Sequence, residues 1–305
     1  METVLRTSGL TKRYNGRAVV DDLSFEVARG AIFGFLGPNG AGKTTTFAML
    51  CGFVRPSAGS ATVLDRPLND LPRDRMSALP QDAKFHPERT LSDSLLFIGQ
   101  LQGMDTARAR EEAARVLAAV DLTEAGKARG RELSHGMAKR FGVAQAFLGE
   151  PEVVLLDEPT EGLDPRNAHT VRQMIRAMAG RSTVLVSSHN LAEIEDLCDS
   201  AAIIDRGRLV TQASITELTG RNQQVLIQLG TAAGDTTAAL AGLAHVAAVE
   251  ASPDGLRLRI TLKLGPGEPA EAGITEAVSA LIRSGATLGT VVRGHSLEER
   301  FLELT

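Results

Sequence analysis

Apolar and polar positions change rhythm several times along this chain. Between residues 4 and 36, short apolar runs alternate with turn signals such as Asn15-Gly16 and Arg29-Gly30, which predicts several short strands. Residues 31–36 run into a glycine-rich loop, and 44–51 continue as a helix, so strand, loop and helix form one unit. Over 91–149 the period lengthens: Leu95, Leu96 and Ile98, then Ala113, Val116, Leu117 and Val120, recur at helical spacing. That stretch predicts a helical subdomain, about 84–150, inserted into an α/β domain. Residues 153–156 and 183–186 are short unbroken apolar runs, the pattern of parallel strands buried on both faces, with helix expected over 166–179 between them.

A different order begins near Arg221. Leu256, Leu258, Ile260 and Leu262 alternate with Arg257, Arg259, Thr261 and Lys263, as in a strand with one buried face. Further strands are expected at 225–229, 246–250 and 287–292, and helices at 236–243 and 274–283. Strand–helix–strand–strand–helix–strand is the order of a small ferredoxin-like α+β domain. Gly265-Pro266-Gly267 reads as a loop, and Ser296 followed by Glu299 as a capping box opening a last short helix. The expected domains are therefore 1–220 and 221–305, consistent with 305 residues exceeding the size at which one core stops growing.

Composition narrows the partners. With 43% apolar residues there is material for a sizeable core, and a formal net charge of −4 offers no basic surplus. One Tyr and no Trp leave few platforms for stacking bases, so no nucleic-acid partner is expected. No apolar run approaches the roughly 18 residues that begin to span a bilayer, and the N-terminus lacks a signal-peptide pattern, so no direct membrane insertion is expected either. Cys51 and Cys198 lack metal-ligand spacing and read as reduced, buried thiols. Arg108, Arg110 and Arg115 read as a solvated helix face.

The loop itself carries chemistry. Gly37, Pro38, Asn39, Gly40, Ala41, Gly42, Lys43 and Thr44 match the phosphate-loop pattern in full. Its glycines let backbone N–H groups curl round phosphates, and the following helix adds the positive end of its dipole. Lys43 is expected to reach the β- and γ-phosphates, Thr44 to ligate magnesium, and Thr45 to complete the nucleotide-binding set. Residues 153–156 end in Asp157 and Glu158. Asp157 would hold Mg2+ through its water shell, and Glu158 would polarise an attacking water. Acidic strand ends are common alone; the phosphate loop gives this pair its meaning.

Leu133-Ser134-His135-Gly136-Met137, about twenty residues before Asp157, resembles the signature Leu-Ser-Gly-Gly-Gln of ABC ATPases. With the phosphate loop, Gln81, the acidic pair and His189 in order, residues 1–220 resemble an ABC ATPase domain with a mixed sheet. The resemblance implies that ATP is sandwiched between one subunit's loop and the signature (Ser134, His135, Gly136, Met137) of a second ATP-binding subunit, in a homodimer or heterodimer. It implies that Gln81 joins the metal and water shell, that Asp164 lies on a dimer-interface loop, that His189 contacts the γ-phosphate, and that Tyr14 stacks on adenine. His135 and Met137 depart from the family pattern, in place of glycine and glutamine.

Residues 221–305 more loosely resemble the C-terminal extension of bacterial ATPases that drive drug-, sodium- or antibiotic-type exporters. The implied function is an ATPase powering an exporter, with ATP and Mg2+ as cofactors. Its partners would be membrane-spanning subunits, and its place the cytoplasmic, inner face of the cell membrane. The rival is a soluble ABC ATPase of DNA repair or translation, but tandem nucleotide domains, a Cys cluster and sustained heptads are missing from the sequence.

Overall fold

The computed structural model describes residues 2–72, 74–220, 224–231, 236–264, 269–294 and 296–304, so Arg221 and the Gly265-Pro266-Gly267 loop lie outside the described residues. Two compact units divide the chain, Met1–Ala213 and Ser214–Thr305.

The first unit opens with β1 (Thr3–Tyr14), β2 (Arg17–Leu23), β3 (Glu26–Ala28) and β4 (Ile32–Leu36), which feeds α1 (Lys43–Leu50). β5 (Ala58–Val63), β6 (Arg66–Pro67) and β7 (Met76–Leu79) follow, then α2 (Leu91–Leu101), α3 (Thr106–Ala119) and α4 (His135–Ala146). β8 (Val153–Asp157), α5 (Pro165–Ala179), β9 (Thr183–Ser188), α6 (Leu191–Leu197), β10 (Ser200–Asp205) and β11 (Arg208–Ser214) complete it.

One sheet has the order β2-β1-β5-β6 with β3 also on β1, all antiparallel. The other runs β11-β10-β4-β9-β8-β7 and is parallel from β10 to β7. β4, β8 and β9 are buried along their whole length, which explains their unbroken apolar runs. Phe25 links the layers: its ring lies 5.9 Å from Phe33 and 5.2 Å from Phe35, and Phe35 lies 5.9 Å from Phe47 of α1. The phosphate-loop helix thus packs on the core shared by both sheets.

Where short strands were expected, β1 is a single strand of 12 residues. Arg6, Thr7 and Ser8 interrupt its apolar pattern, yet register shifts near Leu10 and Lys12 let one strand pair with β3, β5 and β2 in turn.

The helical subdomain follows its capping signals. Thr90, Asp105 and Ser134 accept the backbone N–H of Asp93, Arg108 and Met137 at 3.0, 2.8 and 3.2 Å. Arg115 corrects the solvated-face reading. It is half-buried and donates to Glu112 at 3.0 and 2.7 Å and to the carbonyl of Phe147 at 3.0 Å. The chain returning after α4 supplies that carbonyl, which α3 alone could not foretell. The Arg115 hydrogen bond holds the Glu112 carboxyl below its ordinary range. The thiols divide as well: Cys198 is buried, whereas Cys51 is only partly so.

The second unit comprises α7 (Ile215–Leu218), β12 (Gln224–Thr231), α8 (Thr236–Leu240), β13 (Val246–Ala251), β14 (Arg257–Leu262), α9 (Ala270–Arg283), β15 (Thr287–Arg293) and α10 (Leu297–Leu304). Its antiparallel sheet has the order β13-β14-β12-β15, the ferredoxin-like arrangement. Val225, Ile227, Leu258, Ile260 and Leu262 form its core with Leu240 of α8 and Ala277 and Leu281 of α9. α8 stops short of the expected 243, before Gly242 turns left-handed at φ +83°. α9 starts at Ala270, straight after Pro269, rather than at 274. Ser296 and Glu299 exchange both capping-box bonds at 3.1 Å. Among the described residues no helix is long and apolar enough to cross a membrane.

Candidate active site

Parallel registry brings the chemistry to one end of the sheet. Leu36 of β4 lies opposite Ser188 of β9 and Ile203 of β10, and Asp157 of β8 lies opposite Ser187. The loop leaving β4, the acidic pair ending β8 and the histidine following β9 therefore start side by side.

The loop needs its glycines. A Cβ on Gly37 would sit 2.5 Å from the carbonyl oxygen of Ile204. Gly42 has φ +104°, and a Cβ there would sit 2.8 Å from the carbonyl oxygen of Val19. Lys43 is buried and donates to the carbonyls of Gly37 and Pro38 at 2.8 and 3.4 Å. A cavity of about 320 Å³ is lined by Asn39, Gly40, Gly42, Lys43, Thr44 and Thr45 of the loop, and by Gln81, Glu158 and Glu161.

Glu158 is 5% exposed and takes φ +50°, a strained backbone state for a non-glycine residue. Its N–H donates to the carbonyl and hydroxyl oxygens of Ser187 at 3.2 and 3.0 Å. One carboxylate oxygen lies 3.5 Å from Lys43 Nζ and the other 3.1 Å from His189 Nδ1. Lys139 Nζ donates to its carbonyl at 3.1 Å. Asp157, also buried, accepts a short hydrogen bond from the Ser187 hydroxyl. The two adjacent carboxylates therefore differ: Asp157 is held by a hydroxyl, whereas Glu158 meets an ammonium and an imidazole.

Asp157 and Thr44 line one small cavity of about 60 Å³ together with Cys51. Thr44, Asp157 and Gln81 offer hydroxyl, carboxylate and amide oxygens, hard donors that suit Mg2+. Among the described residues no group of three His, Cys, Asp or Glu forms an all-protein metal cage. Few protein ligands plus phosphate oxygens is the usual manner for this ion, so the donors present fit it.

The remaining expected residues lie around this centre. Gln81 Nε2 donates to Glu161 Oε2 at 2.6 Å, and His135 Nε2 lies 3.3 Å from the Glu161 carbonyl oxygen. Both Gln81 and His135 line a neighbouring cavity of about 780 Å³ with Lys139 and Glu161. Ser134 caps α4, and Gly136 faces Asn167 of α5 with room for ordinary contact. Asp164 caps α5, accepting the N–H groups of Arg166 and Asn167 at 3.1 Å each and the Asn167 side chain at 2.6 Å. Those hydrogen bonds, Asn167 foremost, hold its carboxyl below the ordinary carboxylate range. Tyr14 stands at the end of β1, 46% exposed, with Lys12 Nζ 5.0 Å from its ring centre. Tyr14, Ser134, Gly136, Met137 and Asp164 are not among the residues around the loop cavity.

Motif reading passes over Lys139 and meets Glu161 only as the first residue of the stretch that runs to Asp164 and Pro165. Lys139 falls four residues after His135, on the same helix face. Glu161 closes a turn whose N–H returns to the Glu158 carbonyl at 3.2 Å. Those spacings were the available signals.

A phosphate loop, adjacent carboxylates and a histidine at the ends of a parallel sheet, with a capped signature helix nearby, define an ABC-type nucleotide-binding domain. The family model described as "ABC transporter" matches residues 20–161. The chain is 39% identical to the Nod factor export ATP-binding protein I of Ralstonia nicotianae, covering 70% of this chain and 68% of that protein. It is 32% identical to the linearmycin resistance ATP-binding protein LnrL of Bacillus subtilis, over 99% of this chain and 98% of that one. A solved structure described as the ATP binding subunit of an ABC transporter matches with a TM-score of 0.65 at 28% identity, covering 72% of this chain and 93% of that one. The chain belongs to the ABC transporter family. It is an ATP-binding, ATP-hydrolysing transporter subunit, and the DNA-repair or translation alternative falls away.

Proposed function

We propose that this subunit drives export by closing on a second ATP-binding subunit, as a homodimer or heterodimer, with ATP held between them. The names of the relatives, Nod factor export and linearmycin resistance, support the outward direction. The subunit works on the cytoplasmic, inner face of the cell membrane, held there by membrane-spanning partner subunits. The C-terminal unit regulates the pair or supports its dimerisation.

In this reading the loop amides and Lys43 bind the phosphates, Tyr14 stacks on adenine, and Thr45 completes the nucleotide contacts. Thr44, Asp157 and Gln81 would hold Mg2+, which supplies charge neutralisation on the phosphate oxygens when bound. Glu158 accepts a proton from the attacking water, and His189 orients the Glu158 carboxylate and contacts the γ-phosphate. Ser134, His135, Gly136 and Met137 face the nucleotide on the opposite subunit, with Asp164 beside that interface. Dimer closure moves the membrane subunits through the surface beside Gln81, and hydrolysis reopens the pair.

The observation carrying this proposal is that Lys43 and His189 converge on the Glu158 carboxylate at the loop cavity. Glu158→Gln should slow ATP turnover by ~10²–10⁴, the weight of a general base, while ATP still binds. ATPase activity close to the parent's in that variant would remove Glu158 from this role. Pulldown of the full chain from detergent extracts tests the partner assignment, and recovery of ribosomes or DNA in place of a membrane protein refutes it.

A further inference from the structure

Glu158 holds a left-handed backbone, with φ of +50°. A long side chain stays there only when its surroundings over-determine the conformation. Ser187 takes the N–H, at 3.2 Å by its carbonyl and 3.0 Å by its hydroxyl. His189 and Lys43 meet the carboxylate at 3.1 and 3.5 Å. The carbonyl accepts the Lys139 ammonium at 3.1 Å. Lys43, Ser187 and His189 come from the phosphate-loop helix and the end of β9, whereas Lys139 comes from α4, the helix that Ser134 caps.

Lys139 lies one turn beyond His135, and His135 Nε2 lies 3.3 Å from the Glu161 carbonyl oxygen. Glu161 in turn gives its N–H to the Glu158 carbonyl at 3.2 Å. One face of α4 is therefore fastened at two points to the single turn that follows β8. A charge-assisted bond to a half-buried carbonyl is roughly twice as strong as a neutral one. It fixes the peptide that follows Glu158, and with it the direction of the carboxylate.

We propose that Lys139 is a positioning residue for ATP hydrolysis: it locks the turn that aims Glu158 at the nucleotide cavity and makes the signature end of α4 move with that carboxylate. The proposal rests on the role given to Glu158 above. Whatever a second subunit's nucleotide does to Ser134 is then felt at Glu158 within the same chain. One ATP site is thereby joined to the other through α4 and the turn after β8, with Lys139 as the side chain that reaches Glu158 itself.

The test uses the full chain as Lys139→Met, Lys139→Gln, Lys139→Arg, Glu158→Gln and the Lys139→Met/Glu158→Gln double variant. ATPase rates are measured across ATP concentration, and binding is measured separately with N-methylanthraniloyl-ATP. Lys139→Met should lower kcat by ~10–100-fold, the scale of a 1 Å misplacement, with the probe's Kd changed less than about twofold because the phosphate loop is untouched. Lys139→Gln, which keeps a neutral donor, should fall between, and Lys139→Arg should restore most of kcat. On the Glu158→Gln background Lys139→Met should add no further loss, since both act through one carboxylate. Parent-like kcat in Lys139→Met and Lys139→Gln overturns the proposal, as does an equal fold-loss on both backgrounds. If Glu158→Gln alone turns over normally, the role of Glu158 has failed, which is a separate result.

Discussion

Gly42 and Gly40 share a loop and a left-handed backbone, yet the structure sets different costs for adding one methyl group to each. Gly40 has φ +82° and open space where a Cβ would go. Gly40→Ala therefore meets only the backbone penalty, about 1–2 kcal/mol. Gly42 has φ +104°, farther from the left-handed region open to alanine, and its Cβ would lie 2.8 Å from the Val19 carbonyl oxygen and 3.2 Å from a Val20 methyl. The carbonyl belongs to backbone and cannot swing aside like the end of a flexible side chain. Backbone strain of ~1–3 kcal/mol and overpacking of ~1–3 kcal/mol sum to about 2–6 kcal/mol for Gly42→Ala. At ~2–4 °C per kcal/mol for a domain of this size, the Gly42→Ala melting temperature should fall well below that of Gly40→Ala. Differential scanning calorimetry of the three proteins without nucleotide reads this difference. Equal melting temperatures for the two variants would refute the argument from the Val19 carbonyl.

Two further outcomes follow from other sites. Asp164→Ala should lower the melting temperature near neutral pH by removing the cap on α5. Because the Asp164 carboxyl lies below its ordinary range when folded, its contribution is fully present above the unfolded value of about 3.9. It is lost as pH falls through the lower folded value, so calorimetry at stepped pH should find the wild type and variant converging in acid. Burial, and secondarily the charge of Asp157, push the Cys51 thiol up to about 12. Burial also raises Cys198. Iodoacetamide at pH 8 should therefore leave both unmodified in the native protein and alkylate both in guanidinium, as mass spectrometry can count; rapid native labelling of Cys51 would contradict its assigned environment.

The phosphate loop and the Asp157–Glu158 pair were legible because their chemistry is written in contiguous residues, each flanked by the strand or helix it requires. The capping box at Ser296 was legible for the same reason. β1 was harder, since a bulged strand changes partners without changing the local code. Arg115 looked solvated until the chain after α4 returned a carbonyl to it. Lys139 carries no motif of its own, and Glu161 only opens the stretch that ends at Asp164 and Pro165; their contacts exist only once α4 has been laid against the turn after β8. Asp164 reads naturally as a turn before a helix, and the structure gives it a hydrogen-bonding duty within its own chain.

The phosphate loop is walled by distant parts of the first unit. The Ile204 carbonyl in β10 bounds Gly37, the Val19 carbonyl in β2 bounds Gly42, and the Gly207 N–H holds the Ala41 carbonyl at 2.9 Å. β4 itself is flanked by β9 and β10, both made far later in the chain. During synthesis, then, the loop emerges early but lacks the walls supplied by β10 and Gly207 until almost the whole unit has been translated. Such long-range pairing is slow to form. A ligand that recognises only the finished cradle adds about 2.7 kcal/mol at 100 times its Kd, and withholds that gain from every incomplete chain. Nucleotide therefore stabilises the completed unit in preference to any chain that still lacks β9 and β10.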